Sequence, residues 1–297
     1  MKGWFNGRVV VFAASSYSIA LLFDFAALYG WLPLMLWGFL RMWSPALSAV
    51  LCLAVFRESV SSPLKKYLGR STRVLKLFLL SPLIVYAALG VYMALSLSLG
   101  LFDFNAYVEL LAEEIAKASG LAEEQAVRLA TVAAYTQIAS TYVAAITINT
   151  VFTLGEEIGW RGYLYDLLGS RPTVRTILAI GTIWGLWHAS SILLLGHNYQ
   201  VNRVAGIVLF TAFTILFTYP QLLLTDGAGK SVLPASSFHG AINAVWGLTV
   251  FATRLPRELG EIVLGLGFTG IASWMVLDVV LHLTVKWFKP FQARLPA

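Results

Sequence analysis

The chain has 297 residues, of which 58% are apolar or aromatic and 12% charged, with a formal net charge of +6 and a mean hydropathy of +0.75. A soluble domain carries about 25% charged residues, so this chain lacks the polar surface of a water-facing globule. A soluble enzyme, a disordered chain and a coiled coil are excluded together.

The apolar runs are continuous and about 20 residues long, as membrane helices require and as ten-residue barrel strands do not. In chain order they predict spans over 9–31, 34–56, 75–99, 133–158, 176–196, 204–225, 233–253 and 261–285. The expected fold is all-α, a polytopic membrane bundle of about eight transmembrane helices, with 1–297 forming a single integral membrane domain. The first span is too long for a signal peptide, and no small-residue cleavage site closes it. The single cysteine, Cys52, leaves no intrachain disulfide and no cysteine metal site. No internal repeat is visible, which weighs against transporters built from duplicated halves.

Positive charge fixes the expected sidedness. With the N-terminus in the cytoplasm, the inside segments hold Lys2, Arg8, Arg57, Lys65, Lys66, Arg70, Arg73, Lys76, Arg161, Arg171, Arg175, Lys230, Lys286, Lys289 and Arg294. The outside segments hold Lys117, Arg128, Arg203, Arg254 and Arg257. Fifteen against five places both termini in the cytoplasm. The basic balance is therefore topological, and no nucleic-acid partner is expected. Segment 101–130 reads as an amphipathic extracytoplasmic helix, with Phe104, Tyr107, Val108, Leu111 and Ile115 opposite Glu109, Glu113 and Lys117. Trp4, Trp31, Trp160 and Trp287 fall near span ends, where interfacial aromatics anchor a helix.

An ionisable group within a span needs a partner or a task. Asp24 and Arg41 fall at equal depth on adjacent antiparallel helices and should pair. Asp278 and His282 share a face and should satisfy each other or snorkel. A second group remains: Glu156, Glu157 and Arg161 at a helix end, His188 in a later span, and His239 with Asn243 in another. Glu157 and Arg161 are i,i+4 partners, whereas Glu156 points about 100° away. The same spacing at Glu123, Glu124 and Arg128 reads as an exposed helix with an ordinary ion pair. Small and polar residues around the 156 copy (Asn149, Thr150, Thr153, Gly155 and Gly159) set it apart, because they let helices approach closely.

Three motifs follow one another: Glu156-Glu157-Ile-Gly-Trp-Arg161, Trp184-Gly-Leu-Trp-His188 and His239-Gly-Ala-Ile-Asn243. Their order and spacing resemble the CPBP family, the type II CaaX prenyl endopeptidases with their bacterial and archaeal relatives, over about residues 130–250. Trp184 stands where that family has Phe, a change expected at a packing position. The resemblance implies an intramembrane endopeptidase of the glutamic type whose catalytic core is 130–250. Glu156 would activate a water held also by His188, and desolvation strengthens such a base. His239 and Asn243 would stabilise the oxyanion, with Glu157 and Arg161 bracing the site.

The resemblance further implies a lipidated, prenylated protein or peptide as substrate, losing its C-terminal tripeptide. The site would open toward the cytoplasm, in the plasma membrane of a prokaryote or the endoplasmic reticulum of a eukaryote, beside membrane lipid. No cofactor is expected. Zinc on one Glu and two His is the alternative, although there is no His-Glu-x-x-His and Asn243 is a better donor than ligand. A non-catalytic scaffold, a bacteriocin self-immunity protein and a proton-coupled transporter are the competing functions.

Overall fold

A computed structural model describes residues 7–292, with side chains described through residue 284. Among the described residues the chain is all helix, without a strand. In order the helices are α1 (Gly7–Leu28), α2 (Leu34–Val55), α3 (Ser61–Tyr67), α4 (Thr72–Ser98), α5 (Phe104–Ser119), α6 (Glu123–Ile146) and α7 (Ile148–Glu157). A π-helical stretch, Ile158–Leu164, continues α7 into α8 (Tyr165–Leu167). There follow α9 (Val174–Trp187), α10 (Ala189–Leu195), α11 (Arg203–Gly227), α12 (Leu233–Val245), α13 (Leu248–Phe251), α14 (Arg257–Val263) and α15 (Phe268–Gln292).

Seven helical segments are long and apolar enough to cross a membrane: 7–28, 34–55, 72–98, 123–146, 174–195, 203–227 and 257–284. This is a multi-pass membrane protein. The expected span 233–253 is instead a short helix, α12, broken after Val245 and enclosed by α4, α6 and α7. The expected span 133–158 starts earlier, at Glu123, and breaks at Thr147. Side chains satisfy the carbonyls freed by that break, as an apolar surrounding demands. Thr147 Oγ1 donates to Val143 O at 2.6 Å and Thr150 Oγ1 to Ala145 O at 2.7 Å.

The described helices run between two ends of the bundle. The basic end joins Arg8 to Glu58 at 2.5 Å, Lys66 to Asp166 at 2.7 Å, and the amide of Val232 to the Tyr67 carbonyl at 2.9 Å. The far end carries α5, α13 and α14. There the Asp103 amide donates to Ala252 O at 2.8 Å, and Arg254 bridges Asp103 at 2.7 Å and Glu109 at 2.8 Å. Hydrogen bonds from Arg254 hold the Glu109 carboxyl below its usual range. The C-terminal half of α15 lies beside that of α11, with Tyr219 and His282 3.2 Å apart, so α15 runs back to the basic end. On α5, Tyr107, Val108 and Ala112 are buried against Ala126, Ala130 and Ala134 of α6 and against Leu248 and Ala252. The Glu124–Arg128 bridge forms at 2.8 Å with both partners well exposed.

Apolar lipid gives helices little reason to associate, so close packing and interhelical hydrogen bonds must hold them. Gly155 and Gly159 supply the closest approach. A Cβ on Gly159 would stand 2.3 Å from Pro45 Cβ, and one on Gly155 2.5 Å from Trp43 Cα. The helix bearing the Glu-Glu pair thereby lies directly on α2. Ser81 and Ser237 join α4 to α12 at 2.8 Å, and Thr214 Oγ1 donates to Gly181 O at 2.9 Å between α11 and α9.

Two sequence expectations require correction. Trp160 is fully buried against Phe12 and Trp187, so it is core and not an interfacial anchor. Trp31 is exposed, stacked on Tyr29, while the side chains of Lys2, Trp4, Lys286, Trp287, Lys289 and Arg294 lie outside the described residues. Asp278 and His282 do not pair. His282 meets Tyr219, and Asp278 Oδ1 is buried without a hydrogen bond among the described residues.

Candidate active site

The antiparallel packing of α7 on α12 is set by two side chains that reach backbone carbonyls. Asn149 Nδ2 donates to Gly240 O at 3.0 Å and Thr153 Oγ1 to Ser236 O at 2.8 Å. This register brings Glu157 against His239, with Nδ1 2.8 Å from Glu157 Oε1. The same oxygen accepts from Arg161 Nη1 at 3.2 Å and from Gln221 Nε2 at 3.0 Å. Arg161 Nη2 reaches Gln221 Oε1 and, at 3.3 Å, Thr218 Oγ1. Its guanidinium lies 4.0 Å from the centre of the Trp184 ring. Glu157, Arg161 and Gln221 are thus a fully buried polar cluster in which every partner limits the movement of another.

Glu156 points elsewhere, as the 100° helical step requires. It is 2% exposed and accepts a hydrogen bond from Trp184 Nε1 at 2.5 Å. His188 stands at the junction of α9 and α10, and its Nδ1 is 3.0 Å from Trp184 O. A carbonyl can only accept, so Nδ1 carries the proton and Nε2 of the neutral ring keeps a lone pair. Trp187 and Phe210 fix the ring, with centroids 4.6 and 4.4 Å away.

Glu156, His188, His239 and Asn243 all line one cavity of about 500 Å³. Asn243 lies one turn beyond His239, and its side chain makes no hydrogen bond within the described residues. Glu157 and Arg161 stand behind His239 and Trp184 and do not line the cavity. The spatial grouping therefore unites all six residues expected from sequence, four at the surface of the cavity and two as its support. Such a site offers a carboxylate beside imidazole and amide groups, the donor set for activating a water and holding an oxyanion.

Residues 137–245 match the Rce1-like family of type II CAAX prenyl endopeptidases. One curated relative is the CAAX prenyl protease 2 of Methanococcus maripaludis, 29% identical over 93 residues. That similarity covers 30% of this chain and 34% of the relative. The chain thus matches about a third of the length of the curated relative. The Rce1-like segment takes in α7, the π-helical stretch and α9 to α12, and so every residue of the three motifs.

The structure gives roles to residues that were not expected at the site. Trp184, expected only to pack, is a hydrogen-bond donor to Glu156, because an indole N–H replaces a bare ring edge. Replacing Trp184 with Phe should keep the fold and lower kcat about tenfold with little change in KM. The reason is the loss of one hydrogen bond to a charged group, worth about 1.5 kcal/mol or more. Steady-state kinetics of the purified variant would check it, and an unchanged kcat would refute the positioning role. Gln221 was missed although a lone amide in mid-span is a readable signal. Asp24 and Arg41 do pair, at 2.8 Å, and Arg41 also lines the cavity. His197, in the α10–α11 loop, lines it too and stacks on His188 with centroids 6.3 Å apart.

The exposed lining residues Asn198, Gln200 and Arg257 place the mouth at the far end, away from the basic loops. Glu261 fastens that mouth, its carboxylate accepting from the amides of Gln200, Val201 and Asn202 at 2.8–3.2 Å. Toward the basic end, Trp160, Tyr163 and Tyr165 fill the bundle. Sequence reading joined cytoplasmic termini to a site opening toward the cytoplasm. Among the described residues, the start of α1 at Arg8 lies at the basic end and the mouth at the other. Single-cysteine variants Asn198→Cys and Lys65→Cys, with Cys52→Ser, should react with a membrane-impermeant maleimide from opposite faces. Labelling of both from one face would refute this arrangement.

Proposed function

We propose that the chain is an intramembrane endopeptidase that cleaves near the C-terminus of a lipidated, CaaX-type protein. The observation that carries this reading is the meeting of Glu156, His188, His239 and Asn243 in one cavity, each histidine anchored through Nδ1. In the proposed reaction a water lies between Glu156 and Nε2 of His188. Glu156 takes one proton as the water oxygen bonds to the scissile carbonyl carbon. The carbonyl oxygen becomes an oxyanion held by Asn243 Nδ2, with Nε2 of His239 beside it. The C–N bond then breaks, and the proton held by Glu156 passes to the leaving amine. Glu157 and Arg161 keep His239 in place throughout.

We propose that no metal takes part. Among the described residues no three His, Cys, Asp or Glu side chains are grouped to hold an ion. Cleavage of a farnesylated C-terminal peptide by the purified chain tests the function, with and without a chelator. Release of the tripeptide unaffected by chelator supports the reading. Loss with chelator and recovery with zinc would transfer the step to a metal, and intact peptide with folded protein would reject the activity.

A second reading is favoured by one observation. Prenylated proteins are held on the cytoplasmic face, whereas the charge count places the basic end there and the mouth outside. If cysteine labelling puts the mouth outside, the same chemistry would serve a membrane-bound peptide presented from the outer face.

A further inference from the structure

Arg41 is 3% exposed, deep in a span, and only part of its hydrogen-bonding capacity is used. Nε donates to Asp24 Oδ1 at 2.8 Å and Nη2 to the carbonyl of Trp187 at 2.8 Å. Nη1 has no acceptor among the described residues, and it is not one of the atoms sealed from contact. The guanidinium lies over the Trp187 ring, 3.8 Å from its centre, and His188 meets the same ring edge-on with centroids 4.6 Å apart. Asp24 is itself fully committed, receiving Trp37 Nε1 at 2.8 Å and Ser190 Oγ at 2.6 Å besides Arg41. Three helices therefore hold one guanidinium rigidly in the wall of the catalytic cavity, with both N–H groups of Nη1 left over.

A buried cation normally spends all its donors on the protein, because each idle one is costly in an apolar medium. An idle donor facing a cavity is explained by a ligand that completes it. We propose that Arg41 receives the free α-carboxylate at the C-terminus of the peptide substrate, which makes the enzyme selective for chain ends. A guanidinium suits this task, since its planar fork matches a carboxylate and keeps its charge when desolvated. His197, in the same cavity lining, packs edge-on against Trp37, which shares the Asp24 carboxylate with Arg41. This inference rests on the peptidase reading of the site and adds the feature of the substrate that the cavity recognises.

The test compares two farnesylated peptides of one sequence, one ending in a carboxylate and the other in an amide, with the purified full-length chain. The acid should be preferred by about tenfold or more in kcat/KM, as one charge-assisted hydrogen bond predicts. Most of the difference should appear in KM. Arg41→Gln alone would strand the buried Asp24 and could unfold the chain, so it is paired with Asp24→Asn. In that double variant the ratio of acid to amide should fall to about one, as expected when a single charged contact is removed. Equal cleavage of both peptides by the wild type overturns the carboxylate site, as does a double variant that keeps the wild-type ratio. If the wild type cleaves neither peptide, the peptidase reading falls. Thermal stabilisation by the acid over the amide then still decides the carboxylate site. A shift given by an anionic phospholipid and not by the peptide acid would assign the arginine to lipid and overturn it as well.

Discussion

Glu156→Gln should reduce hydrolysis of a membrane peptide by at least about 100-fold, the ordinary contribution of a general base. The substitution keeps an oxygen to accept the Trp184 indole proton and changes no volume, so the melting temperature in detergent should stay near that of the wild type. The side chain lines the cavity, and among the described residues its one side-chain hydrogen bond is that from Trp184. A variant that remained active would leave His188 as the sole base and remove the glutamate from the reaction. Measuring rate and stability on the same preparation separates a lost reaction from a lost fold.

The neighbouring change has a different signature. Glu157→Ala leaves the Arg161 guanidinium and the Nδ1 proton of His239 without their shared acceptor in a fully buried cluster. Breaking one side of a buried ion pair costs about 3–5 kcal/mol, so the melting temperature should fall sharply along with activity. Glu157→Gln retains an oxygen for both donors but not the charge, and it should fall between the two. Adjacent glutamates thus differ in kind: one failure is chemical and the other structural. Equal melting temperatures for Glu156→Gln and Glu157→Ala would contradict this division.

The reason for the division lies in a single helical step. One carboxylate faces α12 and its buried partners, whereas the other faces the cavity between α2, α9 and α12. The indole of Trp184 bridges the two halves: its N–H donates to Glu156 and its face carries Arg161. A substitution that appeared conservative in the second motif therefore contacts Glu156 and Arg161, the ion-pair partner of Glu157.

Much of this protein was legible in its residues. Scarce charge and long apolar runs required a helical bundle in lipid, because nothing else satisfies the backbone there. Helical spacing placed Glu157 with Arg161 and His239 with Asn243, and the rarity of buried charge marked Glu156, His188 and the Asp24–Arg41 pair. These are local or compositional signals, set by 3.6-residue periodicity and by the cost of an ionisable group in hydrocarbon. The assembled bundle decided the rest. Glu157 meets Gln221 across 64 residues and Trp184 meets Glu156 across 28, contacts that exist only once helices have docked. Whether Trp160 anchors at an interface or fills the core, whether Asp278 finds His282, and which end the cavity faces depend equally on docking. Sequence patterning fixes which face of a helix is polar. Only the register between helices, set by the glycines against α2 and the side-chain bonds of α7 to α12, determines what that face meets.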